Sequence, residues 1–334
     1  MASLMRIRPR LTTHAVKSSC TARGPYLAIA RVRARAFSVT AHAWSTPTHP
    51  PPPPKEEQHP TARPPPTYIA TTKRLPEFNL ANKVVLVSGG ARGLGLVQAE
   101  ALLEAGAIVY ALDKAEEPSS EFRRIQKRAN EDLGSRLDYR CIDVRDVSAL
   151  NEIIETIGMS EGRIDGLIAA AGINNDKDSL EYTPEEINNI LEVNITGVFM
   201  TAQAVAKQMI KYGNGGSIVI IGSMSGTIAN KGLICAPYNA SKAGVLQLAR
   251  NLAAEWGMHR IRVNTISPGY IQTSMLDVLF KESPERKTEW PAENMLGHLS
   301  RPEDYRGAAV FLISDASSYM TGADLRMDGG HASW

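Results

Sequence analysis

Seven short runs of apolar residues between Lys83 and Trp334 constrain this chain more than any other feature: Val84–Val87, Ile108–Leu112, Leu137–Ile142, Gly166–Ala170, Ser217–Ile221, Arg262–Ile266 and Asp324–Met327. A strand with one wet face alternates apolar and polar residues, whereas a nearly continuous Val/Ile/Leu run is buried on both faces. Parallel strands need long crossovers, and the stretches between these runs leave room for helices. Residues 100–105, 186–211, 239–256 and 303–314 fit such helices. The expected fold is α/β, a doubly wound seven-stranded parallel sheet with helices on both faces. No internal repeat divides it, and one domain of this size suffices.

The chain before Lys83 has a different composition. Met1–Asn82 holds twelve Lys and Arg against three acids, which leaves 25 basic and 32 acidic side chains in the remainder. A mildly acidic core offers no basic stripe for a phosphate backbone, so a nucleic-acid partner is not expected. No run is long and apolar enough for a membrane span. Arg6, Arg8, Arg10, Lys17, Arg23, Arg31, Arg33 and Arg35 recur without an acid before Glu56. That is the composition of a cleavable mitochondrial presequence addressed to the matrix, with a disordered basic tail as the alternative. Arg35-Ala36-Phe37-Ser38 resembles a processing signal, which sets the leader at 1–37. Residues 38–76 include Pro50–Pro54 and Pro64–Pro66 and are expected to be a flexible, extended linker, or a proline-motif ligand. The folded domain is then 77–334. Cys20, Cys141 and Cys235 show no metal-ligand spacing, so reduced thiols and no metal site are expected.

Two local patterns carry chemistry. The first strand runs into Ser88-Gly89-Gly90-Ala91-Arg92-Gly93-Leu94-Gly95 and then into a helix. Glycines there let backbone amides and a helix N-terminus approach a pyrophosphate. Asp113 closes the second strand, where a carboxylate accepts from a ribose 2′-hydroxyl and repels a 2′-phosphate. NAD is therefore favoured over NADP, although Arg92 could instead help hold a 2′-phosphate. In Tyr238-Asn239-Ala240-Ser241-Lys242, the phenol and the ammonium stand four residues apart on one helical face. A free phenol with a pKa of about 10 is a poor proton carrier at neutral pH, and an adjacent cation would favour its ionised form.

With these motifs in order, Lys83–Trp334 resembles the short-chain dehydrogenase/reductase family. Further matches are Cys141-Ile142-Asp143-Val144, Ala170-Ala171-Gly172, Asn194, Ser223 and Ser267-Pro268-Gly269. The resemblance implies a Rossmann-type domain that interconverts a secondary alcohol and a ketone with NAD or NADP. It implies Tyr238 as general acid/base, Ser223 as the group that orients the reacting oxygen, and Lys242 as the residue that lowers the phenol pKa and binds nicotinamide ribose. Asn194 would hold a water that links Lys242 to solvent. Ser225 competes with Ser223 by proximity in sequence. Cofactor contacts are implied at Gly89, Arg92, Gly93, Leu94 and Gly95, at Asp113, at Asp143 and Val144 for adenine, and at Ala170, Ala171 and Gly172 for ribose. Pro268, Gly269, Ile271 and Thr273 would contact the nicotinamide. Ala169 and Ala170 stand where the family has asparagines, so a sheet-bracing hydrogen bond is in doubt.

The segments Gly222–Thr227, Ala253–Trp256, Ser267–Tyr270 and Asp328–Trp334 look like the fungal polyol/ketose branch of that family. They imply a pair such as D-arabinitol and D-ribulose, with 3-oxoacyl-carrier-protein reduction as the alternative. Substrate identity is expected in Ser274–Leu299 with Asn174 and Asn175, where Trp290 and Met295 line a lid or fill its core. Family members usually form tetramers through helices here near 186–211 and 239–256. The tail His331–Trp334 could reach a neighbouring subunit's cleft or cover its own core.

Overall fold

The structure, a computed structural model, describes residues 75–273, 276, 280, 281 and 283–334. The expected leader, residues 38–74 of the expected linker, and Ser274, Met275, 277–279 and Glu282 of the expected substrate segment lie outside the described residues. All seven expected strands are present: β1 Val84–Ser88, β2 Ile108–Asp113, β3 Leu137–Cys141, β4 Gly166–Ala169, β5 Gly216–Ile221, β6 Ile261–Pro268 and β7 Asp324–Met327. They form one parallel sheet in the order β3-β2-β1-β4-β5-β6-β7. The order reverses between β1 and β4, and ligands of open α/β sheets bind beyond the strand carboxyl ends at such a reversal.

The continuous apolar runs supply both faces of the sheet. Leu86, Leu112, Leu167, Ile218 and Val263 point to one side, where they meet Leu150 and Ile154 of α3 (Val147–Glu161), Val205 of α5 (Val198–Tyr212) and Val245 and Leu252 of α6 (Ala236–Trp256). Their neighbours Val85, Val87, Val109, Ile168 and Val219 point to the other side. There they meet Leu96 and Leu102 of α1 (Gly93–Glu104), Phe122 and Ile125 of α2 (Ser120–Glu131), and Leu312 near the chain end. Each such side chain contributes about 1.5–3 kcal/mol by leaving water, which fixes strand register because a one-residue slip would reverse every face.

The helices depart from expectation more than the strands do. Helix α1 begins at Gly93 rather than at residue 100, because the glycine loop itself supplies its N-terminus. Helices α2 and α3 were not anticipated. The stretch at 186–211 is α4 (Pro184–Leu191), a π turn (Glu192–Gly197) and then α5, and α4 starts in a capping box between Thr183 and Glu186. The substrate segment, expected to be irregular, contains α7 (Arg286–Ala292), and 303–314 resolves into a 3-10 turn followed by α8 (Arg306–Ile313).

Candidate active site

The glycine loop after β1 is closed by contacts that leave no room for side chains. Gly89 has φ +70°, and a β-carbon there would lie 2.8 Å from Ala171 N. At Gly95 a β-carbon would lie 2.3 Å from Gly89 O. Arg92 is exposed, and Gly93 and Leu94 open α1, whose first amides have no partner within the helix. Asp113, at the end of β2, accepts from Ala91 N–H at 3.1 Å and from Ala115 N–H at 3.2 Å. Ser119 donates to Ala91 O at 2.9 Å, so the loop is gripped at one residue through both of its backbone groups. Ser119 escaped the sequence reading because its only signal is the N-cap of the unanticipated α2.

Asp143 and Val144 follow β3, beside β2. Arg145 hydrogen-bonds Asp143 and holds its carboxyl below the usual range. Val144 is buried, and a β-carbon on Gly197 would lie 2.6 Å from its Cγ2. Beyond β4, Ala170 N–H donates to Ser88 O at 3.1 Å and Ala171 N–H to the Ser88 hydroxyl at 3.4 Å. Ser88 thus provides a bracing contact where the family's asparagines are missing. A β-carbon on Gly172 would lie 3.4 Å from Asn194 Oδ1 and 3.7 Å from Lys242 Nζ, so the expected ribose-lining segment leads directly to the catalytic lysine. Gly269 N–H donates to Met327 O at 3.0 Å, Ile271 pairs with Ser300, and the Thr273 hydroxyl accepts from Leu276 N–H at 3.4 Å. Pro268 closes β6, so the expected nicotinamide-side residues share one carboxyl edge with the loop.

Tyr238 and Lys242 lie together near the start of α6, as their spacing requires. Ser223 follows β5 with its hydroxyl near enough to the Tyr238 phenol to lower the phenol pKa, and it accepts from Ser225 N–H at 3.1 Å. Ser223, not Ser225, therefore faces the phenol. Lys242 Nζ donates to Ile221 O at 2.8 Å and sits 5.5 Å from the centroid of the Tyr238 ring. Asn194, in the π turn, accepts from Ile173 N–H and donates to Ile173 O, both at 2.9 Å, and donates to Ser241 Oγ at 3.0 Å. Ser241 in turn donates to Tyr238 O at 2.7 Å. With its side chain so engaged, Asn194 can hold a water chiefly through the backbone of the π turn, a feature common at functional sites. Ile221 O and Ser241 were not singled out from sequence, since a carbonyl carries no residue signature.

Burial dominates the ionisation of both members of this pair. Tyr238 as a whole residue is half-buried, but its hydroxyl end lies deep, and burial pushes the phenol up to about 12 against the lowering effect of Ser223. Burial also pushes Lys242 down to about 8. The ammonium is held over the ring and on Ile221 O, where its charge favours a negative charge on the phenol oxygen when one forms.

Among the substrate-segment residues, Trp290 is buried and Met295 exposed, while Glu285 and Lys287 are solvated. Asn174 is exposed and Asn175 half-buried. The tail folds onto its own domain, with Trp334 Nε1 donating to Glu293 O at 2.9 Å. A cavity of about 300 Å³ behind the Gly269–Tyr270 turn, lined by His298, Tyr305 and His331 among others, includes neither Ser223 nor Tyr238. Ser223 lies instead beyond the carboxyl end of β5, with Tyr238 on α6 beside it.

A nicotinamide dinucleotide fits these residues. The Gly89–Gly95 contact gives its pyrophosphate bare backbone, Asp113 offers ribose an acceptor, and the cofactor when bound supplies the hydride donor or acceptor. What the chain's own residues can do is chemical positioning: an oxygen placed between Ser223 and Tyr238 can exchange a proton with the phenol.

A family model described as Enoyl-(Acyl carrier protein) reductase matches residues 89–332. A short-chain dehydrogenase/reductase of Aspergillus versicolor is 39% identical over 262 residues, covering 77% of this chain and 89% of its own. A ribulose-forming D-arabinitol 2-dehydrogenase of Candida tropicalis is 36% identical over 271 residues, covering 78% and 96%. The crystal structure of a short-chain type dehydrogenase/reductase from Mycobacterium marinum superposes with a TM-score of 0.72 at 35% identity, covering 78% of this chain and 99% of that one. Matched along most of its folded domain in both sequence and fold, the chain belongs to the short-chain dehydrogenase/reductase family, an oxidoreductase that interconverts alcohol and ketone.

Proposed function

We propose that this chain is an NAD-preferring polyol dehydrogenase, oxidising a secondary hydroxyl of a substrate such as D-arabinitol to the ketose and reducing the ketose in return. The observation that carries this reading is the position of Asp113, whose carboxylate is fixed at the mouth of the glycine loop by Ala91 and Ala115. A carboxylate there accepts from a 2′-hydroxyl and repels a 2′-phosphate. Similarity to the Candida D-arabinitol enzyme along nearly all of that protein supports the substrate class. Arg92, exposed beside the loop, is the one feature favouring NADP. Reduction of the 3-oxo group of a carrier-protein-bound acyl chain is the second reading; the carrier protein in the family model's description is in line with it and Asp113 opposes it. Initial rates with a panel of polyols and ketoses, each with NAD and NADP, test both. Turnover confined to acyl thioesters, or a preference for NADP, would sink the first reading.

The composition of 1–37 supports import into the mitochondrial matrix, with 38–76 as a spacer to the enzyme domain. Fluorescent tagging with and without 1–37 tests this, and a full-length chain that stays in the cytosol excludes it. Helices α5 and α6 are the proposed tetramer surface, supported by exposure of Ile210 on α5. A monomeric mass by light scattering rules it out. No helix among the described residues is long and apolar enough to cross a membrane.

A further inference from the structure

Tyr270 lies just before the segment Ser274–Leu299 in which substrate identity was expected, and it is held from several sides. Its ring stacks on Trp290 with centroids 4.1 Å apart and planes 10° from parallel, and His331 meets it edge-on at 5.5 Å. Its hydroxyl accepts from Asn230 Nδ2 at 3.4 Å. Asn230 is buried, and its Oδ1 accepts from Asn239 Nδ2 at 2.9 Å. Asn239 is the residue after Tyr238 and also donates to Ile228 O at 3.0 Å. A chain of three side chains therefore ties the Tyr270 phenol to the catalytic turn of α6.

This chain leaves two donors unused. Among the described residues the Tyr270 hydroxyl proton has no acceptor, and the Asn230 amide has one acceptor for its two hydrogens. Buried donors of this kind ordinarily find partners. Both donors belong to the network that ends on Asn239, next to Tyr238, and two donors match the two lone pairs of a hydroxyl oxygen. We propose that Tyr270 and Asn230 bind the substrate hydroxyl neighbouring the reacting carbon, and so select polyols over simple secondary alcohols. The inference rests on the polyol reading above and adds to it the residues that read the polyol. An alcohol lacking the neighbouring hydroxyl would leave both donors stranded, which is how a polar site rejects an apolar analogue.

Tyr270→Phe keeps the stacked ring and removes the hydroxyl. The test measures kcat/KM for D-arabinitol and for cyclohexanol with NAD in the full chain, with NADH binding as a check of folding. The variant is expected to lower the arabinitol-to-cyclohexanol ratio by roughly 10- to 100-fold, mainly by raising KM for the polyol. A ratio unchanged within twofold overturns the assignment, whether both rates hold or both fall together. A parent enzyme that does not prefer D-arabinitol to cyclohexanol refutes the polyol reading itself, and this inference with it.

Discussion

Replacing Asp113 with Asn removes one charge from the end of β2 while keeping the side chain's shape. The carboxylate is fixed by Ala91 N–H and Ala115 N–H, so its position relative to the loop is set before any cofactor arrives. For unit charges about 4 Å apart, repulsion is about 1 kcal/mol at the dielectric of water and about 4 kcal/mol at an effective value of 20. Asp113 is half-buried, which places it between these limits. A repulsion of about 2 to 3 kcal/mol corresponds to a preference for NAD over NADP of roughly 30- to 200-fold. Asp113→Asn is expected to erase most of that factor, with Arg92 left as the nearby cation for a 2′-phosphate. The substitution also deprives one of the two amides of its acceptor, which loosens the loop at a cost of about 1 kcal/mol. That loosening affects both cofactors alike, so the informative quantity is the NAD-to-NADP ratio of kcat/KM measured in one preparation. An unchanged ratio would refute the electrostatic reasoning and leave Asp113 as a brace for the loop.

Three further perturbations probe the same edge of the sheet. Tyr238→Phe is expected to lower kcat by roughly 10²- to 10⁴-fold while NADH titration shows affinity within a few-fold of the parent; full turnover would remove the phenol from the proton path. Gly95→Ala forces a β-carbon to within 2.3 Å of Gly89 O, so NADH binding should be lost and stability should fall by about 1–3 kcal/mol; a variant that melts like the parent and binds NADH would contradict the close approach. Stability should also follow Lys242 and Tyr238 through alkaline pH. Lys242 has a pKa of about 8 when folded against 10.5 when exposed, so between those values the unfolded chain binds the extra proton and stability rises with pH. Tyr238 moves the opposite way, from 10.0 to about 12, so above pH 10 the folded chain keeps the proton and stability falls. Denaturation midpoints of Lys242→Met should lack the rise between pH 8 and 10, and curves parallel to the parent's would show that Lys242 does not titrate there.

The strands were legible because burial on both faces leaves a mark that needs no partner to interpret. Val84–Val87 is as apolar in the sequence as it is enclosed in the sheet. Helix α2 was not legible, since only Phe122, Ile125 and Ala129 of its twelve residues are buried and the rest are polar. Its inward stripe is too narrow to stand out without the sheet beneath it. The π turn at Glu192–Gly197 has no proline to announce it, and it emerges where Asn194 bonds Ile173 and Ser241 from distant parts of the chain. Positions on the site followed the same division. Tyr238 and Lys242 meet through local helix geometry and were placed correctly, whereas Asn230 and Tyr270 meet across forty residues and could be paired only in three dimensions.

Burial acts on the catalytic pair in opposite senses, and the outcome bears on how the proton moves. At neutral pH a lysine with a pKa of about 8 remains about nine-tenths charged, while a phenol near 12 stays neutral. Lys242 makes no ion pair among the described residues and rests on the Ile221 carbonyl, so the cleft carries a positive charge without a fixed counterion. Such a charge gives little to the resting phenol, whose proton is retained. It gives much more to a negative charge that appears on the phenol or on the substrate oxygen as the proton moves, because water is already excluded and no reorganisation is needed. An interaction stronger in the transition state than in the ground state is the kind that accelerates the step. A carboxylate paired permanently with Lys242 would relieve the burial of the ammonium and remove that difference. A negative charge formed on the phenol or the substrate oxygen would supply the counterion that Lys242 lacks among the described residues.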